Sequence, residues 1–257
     1  MQPYNVAFYK RFLNGMILSA KEVVPIMMDL IQPKSVVDVG CGVGAWLSVF
    51  LQNGVEDICG IDGNYIDKSM LQIPDNCFIS HDLKDPLPLS LNRQYDLVTC
   101  LEVAEHLPKE YAESLVDSLT SLGPVICFSA AIPFQGESSS HHVNEQWPEY
   151  WARFFNKKGY ITIDCIRKKI WKNDNIEFWY AQNILLYVKK EYLGNLPLLE
   201  KEYAADTSQL SVVHPKCYLT IANPKASLIR VLCSILPVSI VNKAIDIVRS
   251  IYKRRTI

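Results

Sequence analysis

Three glycines at alternate positions, Gly40, Gly42 and Gly44, follow directly on the apolar run Val36-Val37-Asp38-Val39 and open into Ala45-Trp46-Leu47. A buried strand that turns sharply into a helix, leaving bare backbone beside a ligand, needs residues without a Cβ at those points. One helix further on, Ile58-Cys59-Gly60-Ile61-Asp62 reads as a second strand ending in an acid, the usual partner of ribose hydroxyls. No Lys-Ser/Thr pair follows the glycines, which excludes the phosphate-gripping loop of nucleotide hydrolases. Nicotinamide dehydrogenases place the third glycine three residues after the second, whereas Gly42 and Gly44 are two apart.

The rest of the chain alternates in the same style. A helix is predicted over 17–31, stopped by Gln32-Pro33, with strands near 35–39, 57–61, 76–80, 95–100 and 124–131. Helices are expected after Gly44, over 109–121 behind Pro108, and from Trp147 to Lys158, which ends at Gly159. Two more strands are predicted near 160–165 and 179–188. Strand and helix in alternation imply an α/β fold with a mostly parallel sheet, and 257 residues suffice for one such domain with a full core.

In order along the chain, the glycine turn, Asp62, the strand-end His81-Asp82-Leu83 and the strand Asp96-Leu97-Val98-Thr99-Cys100-Leu101-Glu102 resemble the class I S-adenosylmethionine-dependent methyltransferases over about residues 35–190. The resemblance implies a Rossmann-like seven-stranded sheet of order 3-2-1-4-5-7-6, helices on both faces, the last strand antiparallel, and S-adenosylmethionine across the carboxyl ends of the strands. It further implies that Gly40, Gly42 and Gly44 shape the methionine–ribose side, that Asp38 orients that loop, and that Asp62 takes the ribose hydroxyls. Asp82 and Leu83 would flank adenine, and Leu101 would join the cofactor set from the end of the fourth strand. The corresponding domain plan is a helical cap over the cofactor (1–34), the methyltransferase domain (35–190), an irregular extension (191–225) and an amphipathic basic helix (226–257).

Glu102-Val103-Ala104-Glu105-His106 comes next. If a helical turn starts at Glu102, the three polar residues share one face, and two carboxylates with an imidazole make a divalent-metal site. His141 or His142, after the fifth strand, would add a ligand from the neighbouring loop, with Mg²⁺ or Mn²⁺ as the ion. The Glu-x-x-Glu-His pattern resembles that of the metal-dependent small-RNA 2′-O-methyltransferases and of the quinone-biosynthesis O-methyltransferases. Without a metal, Glu102 positions the methionine end, Glu105 is solvated and His106 is packed. An alcohol holds its proton far above neutral pH, so a histidine base or a metal beside it leans toward O-methylation. The candidate catalytic residues are His106, His142, His141 and Glu105, and the candidate metal ligands Glu102, Glu105, His106 and His142 or His141.

Ser139 to Trp151 gathers two imidazoles, an amide, acids and the aromatic residues Trp147, Tyr150 and Trp151, a chemistry suited to a carbohydrate. The plainer reading packs those aromatics onto the sheet. This run is similar to a segment of methyltransferases of surface-glycan assembly, as are Tyr9, Ser19-Ala20 and Val213-His214-Pro215, and the similarity implies that Tyr9 and Ser19 cover the cofactor. The function expected is therefore O-methylation of a sugar hydroxyl in glycan or polysaccharide biosynthesis, on an acceptor that is lipid-linked. The rivals are a terminal-ribose RNA 2′-O-methyltransferase, a quinone or small-phenol O-methyltransferase, and an inactive scaffold serving as a binding module. A net charge of −1 with no basic, aromatic-interleaved segment argues against nucleic acid as partner. Eight singly spaced cysteines and no amino-terminal signal pattern are expected of a cytoplasmic protein.

Val238 to Tyr252 sets Val241, Ala244, Ile245, Val248, Ile251 and Tyr252 on one helical face, and Lys253-Arg254-Arg255 follows. Such a helix packs on the domain or a dimer partner, or lies on the inner face of an anionic membrane as a peripheral anchor. On the membrane reading, the full-length protein co-sediments with anionic liposomes at low salt and a form lacking residues 226–257 stays in the supernatant. A full-length protein that also stays in the supernatant assigns the helix to the fold.

Overall fold

The computed structural model describes residues 6–87, 93–136, 141–204 and 209–222. Its strands are β1 (Ser35–Val39), β2 (Asp57–Asp62), β3 (Phe78–Ser80), β4 (Leu97–Leu101), β5 (Val125–Ser129), β6 (Tyr160–Ile163) and β7 (Leu185–Lys189). They form one sheet of order β3-β2-β1-β4-β5-β7-β6, the order expected. β7 alone runs against its neighbours β5 and β6, and the other pairings are parallel. All carboxyl ends of β1 to β5 therefore meet at one edge, and the order reverses between β1 and β4, where ligands of such sheets bind.

Successive strand residues face opposite layers. Val36 and Leu97 join the core under α1 (Val6–Ile31) and α2 (Ala45–Gln52), while Val37 and Val98 join the core under α3 (Ala112–Leu122) and α4 (Pro148–Lys157). Every residue of β4 and β5 is buried, as continuous apolar runs covered on both faces should be. In α3 the buried side chains Leu115, Val116, Leu119 and Leu122 fall at helical spacing, each burial contributing about 1.5–3 kcal/mol.

Three stretches differ from the sequence reading. α1 begins at Val6, not at 17, because Tyr9 is buried and Phe12 meets the Trp179 ring at 6.5 Å; aromatic–charged alternation concealed an amphipathic face. The aromatic run at 178–183 is helix α6 (Phe178–Asn183), after the short α5 (Arg167–Ile170), and β7 starts only at Leu185. Packing overrides β-propensity there: the Tyr180 ring sits edge-on to Trp46 at 5.0 Å, and the Gln182 and Asn183 side chains are buried in hydrogen bonds. The stretch read as irregular carries α7 (Pro197–Ala204) and α8 (Pro215–Ala222). The basic helix read over 226–257 lies outside the described residues. Among the described residues, no helix is long and apolar enough to cross a membrane. The described cysteines are free thiols.

One buried ion pair ties the extension to the sheet. Arg167 grips Asp164 with two parallel bonds, Nε to Oδ1 at 2.9 Å and Nη2 to Oδ2 at 2.6 Å. Its remaining donors reach the carbonyls of Gln182 (3.2 Å), Leu210 (2.8 Å) and Gln209 (3.3 Å). Replacing one member of a buried pair costs about 3–5 kcal/mol because the other charge stays behind. Arg167→Met is expected to lower the unfolding free energy from urea titration by that amount, shifting the midpoint down, and to open 209–222 to protease; an unchanged midpoint removes the pair from the stabilising contacts.

Candidate active site

The turn after β1 is built against the end of β2. Gly40 and Cys41 donate their N–H groups to the Ile61 carbonyl at 2.7 and 3.1 Å, and Gly42 N–H donates to Asp62 Oδ2 at 2.6 Å. Gly40, Gly42 and Gly44 all take positive φ, 81°, 56° and 79°, a region that side chains strain to enter. A Cβ on Gly40 would lie 2.3 Å from a Val103 methyl, and one on Gly42 would press the Tyr9 ring at 3.0 Å. The turn is thus a cradle of bare backbone with Tyr9 against it.

The expected cofactor residues fall into two groups. Asp62, buried at the end of β2, accepts from Gly42, from Gly63 N–H at 2.6 Å and from the Tyr65 hydroxyl; burial raises its pKa while these donors oppose the rise. Asp38 lies one strand over, paired in register with Thr99, whose hydroxyl donates to Oδ1 at 2.6 Å; burial pushes this carboxyl up to about 7. Leu101 closes β4 and is buried, and Leu83 is half-buried beyond β3. Asp82 is exposed and accepts from Lys84 N–H at 3.0 Å, while His81 N–H pins the same loop to the Asp62 carbonyl at 2.8 Å. Ser19 is not part of the cradle: fully buried, it donates to the Gly15 carbonyl and accepts from Glu177 N–H, joining α1 to the start of α6. Tyr65, which sequence reasoning missed, belongs with Asp62; its signal was an aromatic hydroxyl three residues after a strand-end acid.

Past β4 the chain does not start a helix at Glu102, whose φ is 55°. A 3-10 turn forms at Ala104–His106, and the expected constellation divides. Ligand atoms of Glu105, His106 and His142 all lie within 4.8 Å of one another, with the two imidazole rings edge-on at 4.8 Å. Glu105 is completely buried, and neither carboxylate oxygen has a hydrogen-bond partner among the described residues. Burial, then the nearby Glu102 charge, drives its pKa well above the ordinary range; the backbone of Glu105 and Ala131 opposes the rise from too poor a geometry to make a hydrogen bond. Burial likewise holds His106 neutral, its pKa pushed down to about 4. His106 Nδ1 faces the His141 carbonyl at 3.5 Å, whereas the His141 side chain is exposed and outside the cluster.

His142 is oriented from behind. Its Nδ1 donates to Glu145 Oε1 at 2.8 Å, and Glu145 also accepts from Phe134 and Gly136 N–H at 2.7 Å each. The loop is fixed to the cluster by Val143 and Asn144 N–H, which donate to the Glu105 carbonyl at 2.8 and 3.0 Å. A buried carboxylate with no hydrogen bond at either oxygen, beside two imidazoles, is the donor chemistry of a divalent cation. Glu102 stands apart: Gln135 Nε2 donates to Oε2 at 2.8 Å and Asn183 Nδ2 to Oε1 at 3.0 Å.

Past His142, Gln146, Trp147, Glu149, Tyr150, Arg153 and Ser211 line a depression of about 610 Å³ on the outer face of α4. Trp147 is 42% exposed there, and Trp151 and Phe155 on the opposite side are buried against Phe128. The aromatic run thus serves both core and surface.

A model of the methyltransferase-domain family matches residues 15–163, more than half of the chain. No curated protein matches. Among solved structures, the methyltransferase domain of bacterial CtHen1-C is 17% identical with a TM-score of 0.51, covering 67% of this chain and 98% of its own. The magnesium protoporphyrin IX methyltransferase of Synechocystis PCC 6803, solved with bound SAH, is 20% identical with a TM-score of 0.47, covering 68% and 84%. The family-model match over more than half of the chain makes it a member of the methyltransferase-domain family, and the strand order, the glycine cradle and the strand-end acids already described are those of its class I S-adenosylmethionine-dependent fold.

Proposed function

We propose that this methyltransferase transfers its methyl group to a sugar hydroxyl during glycan assembly, with a divalent cation held by Glu105, His106 and His142. The observation that carries the reading is Glu105, a fully buried carboxylate with two unpartnered oxygens facing two imidazoles at the carboxyl edge of the sheet. S-adenosylmethionine supplies a methyl group on a sulfonium, and a cation supplies a Lewis acid for an alcohol that is otherwise a poor nucleophile.

The residues divide the remaining work. The Gly42 N–H holds the Asp62 carboxylate where the ribose end fits, and the Tyr9 ring packs against the same turn. His106, neutral down to about pH 4, suits a ligand better than a base, whose pKa should lie near the working pH. Glu145 fixes the His142 ring with Nδ1 as donor, which turns the Nε2 lone pair into the cluster. A glycan acceptor is supported by the depression along α4: flat Trp147 and Tyr150 faces, with Gln146, Glu149, Arg153 and Ser211 able to pair with hydroxyls. A lipid-linked acceptor would suit the basic stretch at 226–257.

With Mn²⁺ and a panel of sugar acceptors, wild-type protein is expected to form a base-stable methyl ether. Glu105→Gln should lose at least about a hundredfold in kcat while binding S-adenosylhomocysteine as before, since this residue acts on the acceptor side. Turnover that survives EDTA and is not raised by added cation overturns the metal part of the reading. Trp147→Ala is expected to raise KM for an oligosaccharide about tenfold, with kcat and S-adenosylhomocysteine affinity unchanged, because stacking on an exposed ring supplies uniform binding. A variant indistinguishable from wild type removes the α4 depression from the acceptor site.

A further inference from the structure

The Glu-x-x-Glu-His spacing offers two carboxylates to a cation, but the geometry uses one. We infer that Gln135 and Asn183 withhold Glu102 from the ligand set, so that the cation meets two imidazoles and a single carboxylate and the site selects Mn²⁺ or a similar transition ion over Mg²⁺. This rests on the reading of Glu105, His106 and His142 as a cation site.

Three observations carry it. The Glu102 backbone turns left-handed at φ 55°, so its side chain leaves the face that the following 3-10 turn gives to Glu105 and His106. Each Glu102 oxygen then accepts an amide N–H, from Asn183 at 3.0 Å and from Gln135 at 2.8 Å. The amides are themselves locked. Gln135 Oε1 accepts from Asn183 Nδ2 at 2.9 Å and from Gln182 Nε2 at 2.8 Å, and Gln182 Nε2 also donates to Asn183 Oδ1 at 3.0 Å. Asn183 is buried and Gln182 beside it holds Gln135 in place, so a swing of Glu102 into the cluster would leave amide donors without an acceptor.

Glu105 presents the opposite case, completely buried and with no hydrogen bond made at either oxygen among the described residues. The sequence pairs two acids; the fold supplies hydrogen bonds to one and leaves the other for a cation. A set of two nitrogens and one oxygen suits Mn²⁺, Co²⁺ or Zn²⁺, whereas Mg²⁺ takes oxygen ligands and keeps its waters. Three protein ligands would leave room on a bound cation for acceptor hydroxyls. Gln135 and Asn183 are then positioning residues, acting through Glu102.

The test is metal binding to the full chain, without turnover. Wild-type protein, stripped with EDTA, is titrated with Mn²⁺ by calorimetry and electron paramagnetic resonance, with Mg²⁺ as competitor. One Mn²⁺ is expected, at least about tenfold tighter than Mg²⁺, with two imidazole nitrogens coupled to the electron spin. Glu102→Gln should bind Mn²⁺ within about twofold of wild type and with an unchanged water-proton relaxivity. Glu105→Gln should lose a hundredfold or more. Glu145→Gln, which disturbs the ring behind the ligand, should lose about 10–100-fold. A Glu102→Gln protein that weakens Mn²⁺ as much as Glu105→Gln, with an unchanged circular-dichroism spectrum and melting temperature, overturns the division. Mg²⁺ binding as tightly as Mn²⁺ to wild type overturns the selectivity. Wild-type protein that binds neither ion overturns the cation reading itself, and this inference falls with it.

Discussion

The N–H groups of Gly40, Cys41 and Gly42 all end on β2, two on the Ile61 carbonyl and one on the Asp62 carboxylate. The sharp turn out of β1 and the acid at the end of β2 are therefore one hydrogen-bonded unit, not two neighbouring features. Were the turn to open, Asp62 would lose a donor while buried and the loop would lose the partners that hold its positive φ values. The parallel sheet extends this logic sideways. Because β1, β2, β4 and β5 run the same way, every loop that leaves them does so at the same edge. Residues far apart in sequence, such as Asp38, Glu105 and His142, are brought to that edge by topology before any side chain makes a choice.

The acids Asp62, Glu102 and Glu105 at or near that edge, two of them buried and Glu102 half-buried, show what the side chains then decide. Asp62 has three donors and Glu102 has two amides. Glu105 has none, although it is as deeply placed as any of them. Burial of a carboxylate is unfavourable by several kcal/mol without compensation, so an unsatisfied one at the mouth of a site is a demand for a proton or a cation. The neutral state of His106 points the same way, since a protonated imidazole would have neutralised Glu105 directly.

How much of this was legible in the chain follows from what each feature requires. Gly40-x-Gly42-x-Gly44 and Asp62 were legible because backbone conformation and strand ends leave local marks on sequence. The strand order was legible through family resemblance, not through periodicity. Helix α1 was half hidden because Phe8, Tyr9 and Phe12 bind one another and Trp179, contacts that no local window reports. Phe178-Trp179-Tyr180 looked like a strand because aromatic residues favour strands in general, but here they must face Phe12 and Trp46. Glu102 was misplaced for a simpler reason: spacing of three and four residues implies one face only if the turn is helical from the first residue, and Glu102 lies outside it. Gln135, Glu145 and Asn183 carry no pattern at all, and Tyr65 only its place three residues after Asp62. They were found by asking where each buried oxygen gets its hydrogen bond.

The same question connects the site to the end of the described chain. From Glu102 the hydrogen bonds run through Gln135 to Gln182, whose Oε1 accepts His214 N–H at 2.8 Å. His214 in turn reaches the Trp171 carbonyl at 3.0 Å and takes Lys216 N–H on its other ring nitrogen at 3.2 Å, so the ring starts α8. Arg167 binds the carbonyls of Gln209, Leu210 and Gln182 from below. The Val213-His214-Pro215 run is thus no appendage to the sheet. It completes the hydrogen bonding of the buried Gln182 amide, which in turn bonds the half-buried Gln135 that holds Glu102. A methyltransferase fold without this extension would have to satisfy Gln182 in another way, and the position of Glu102 would change with it.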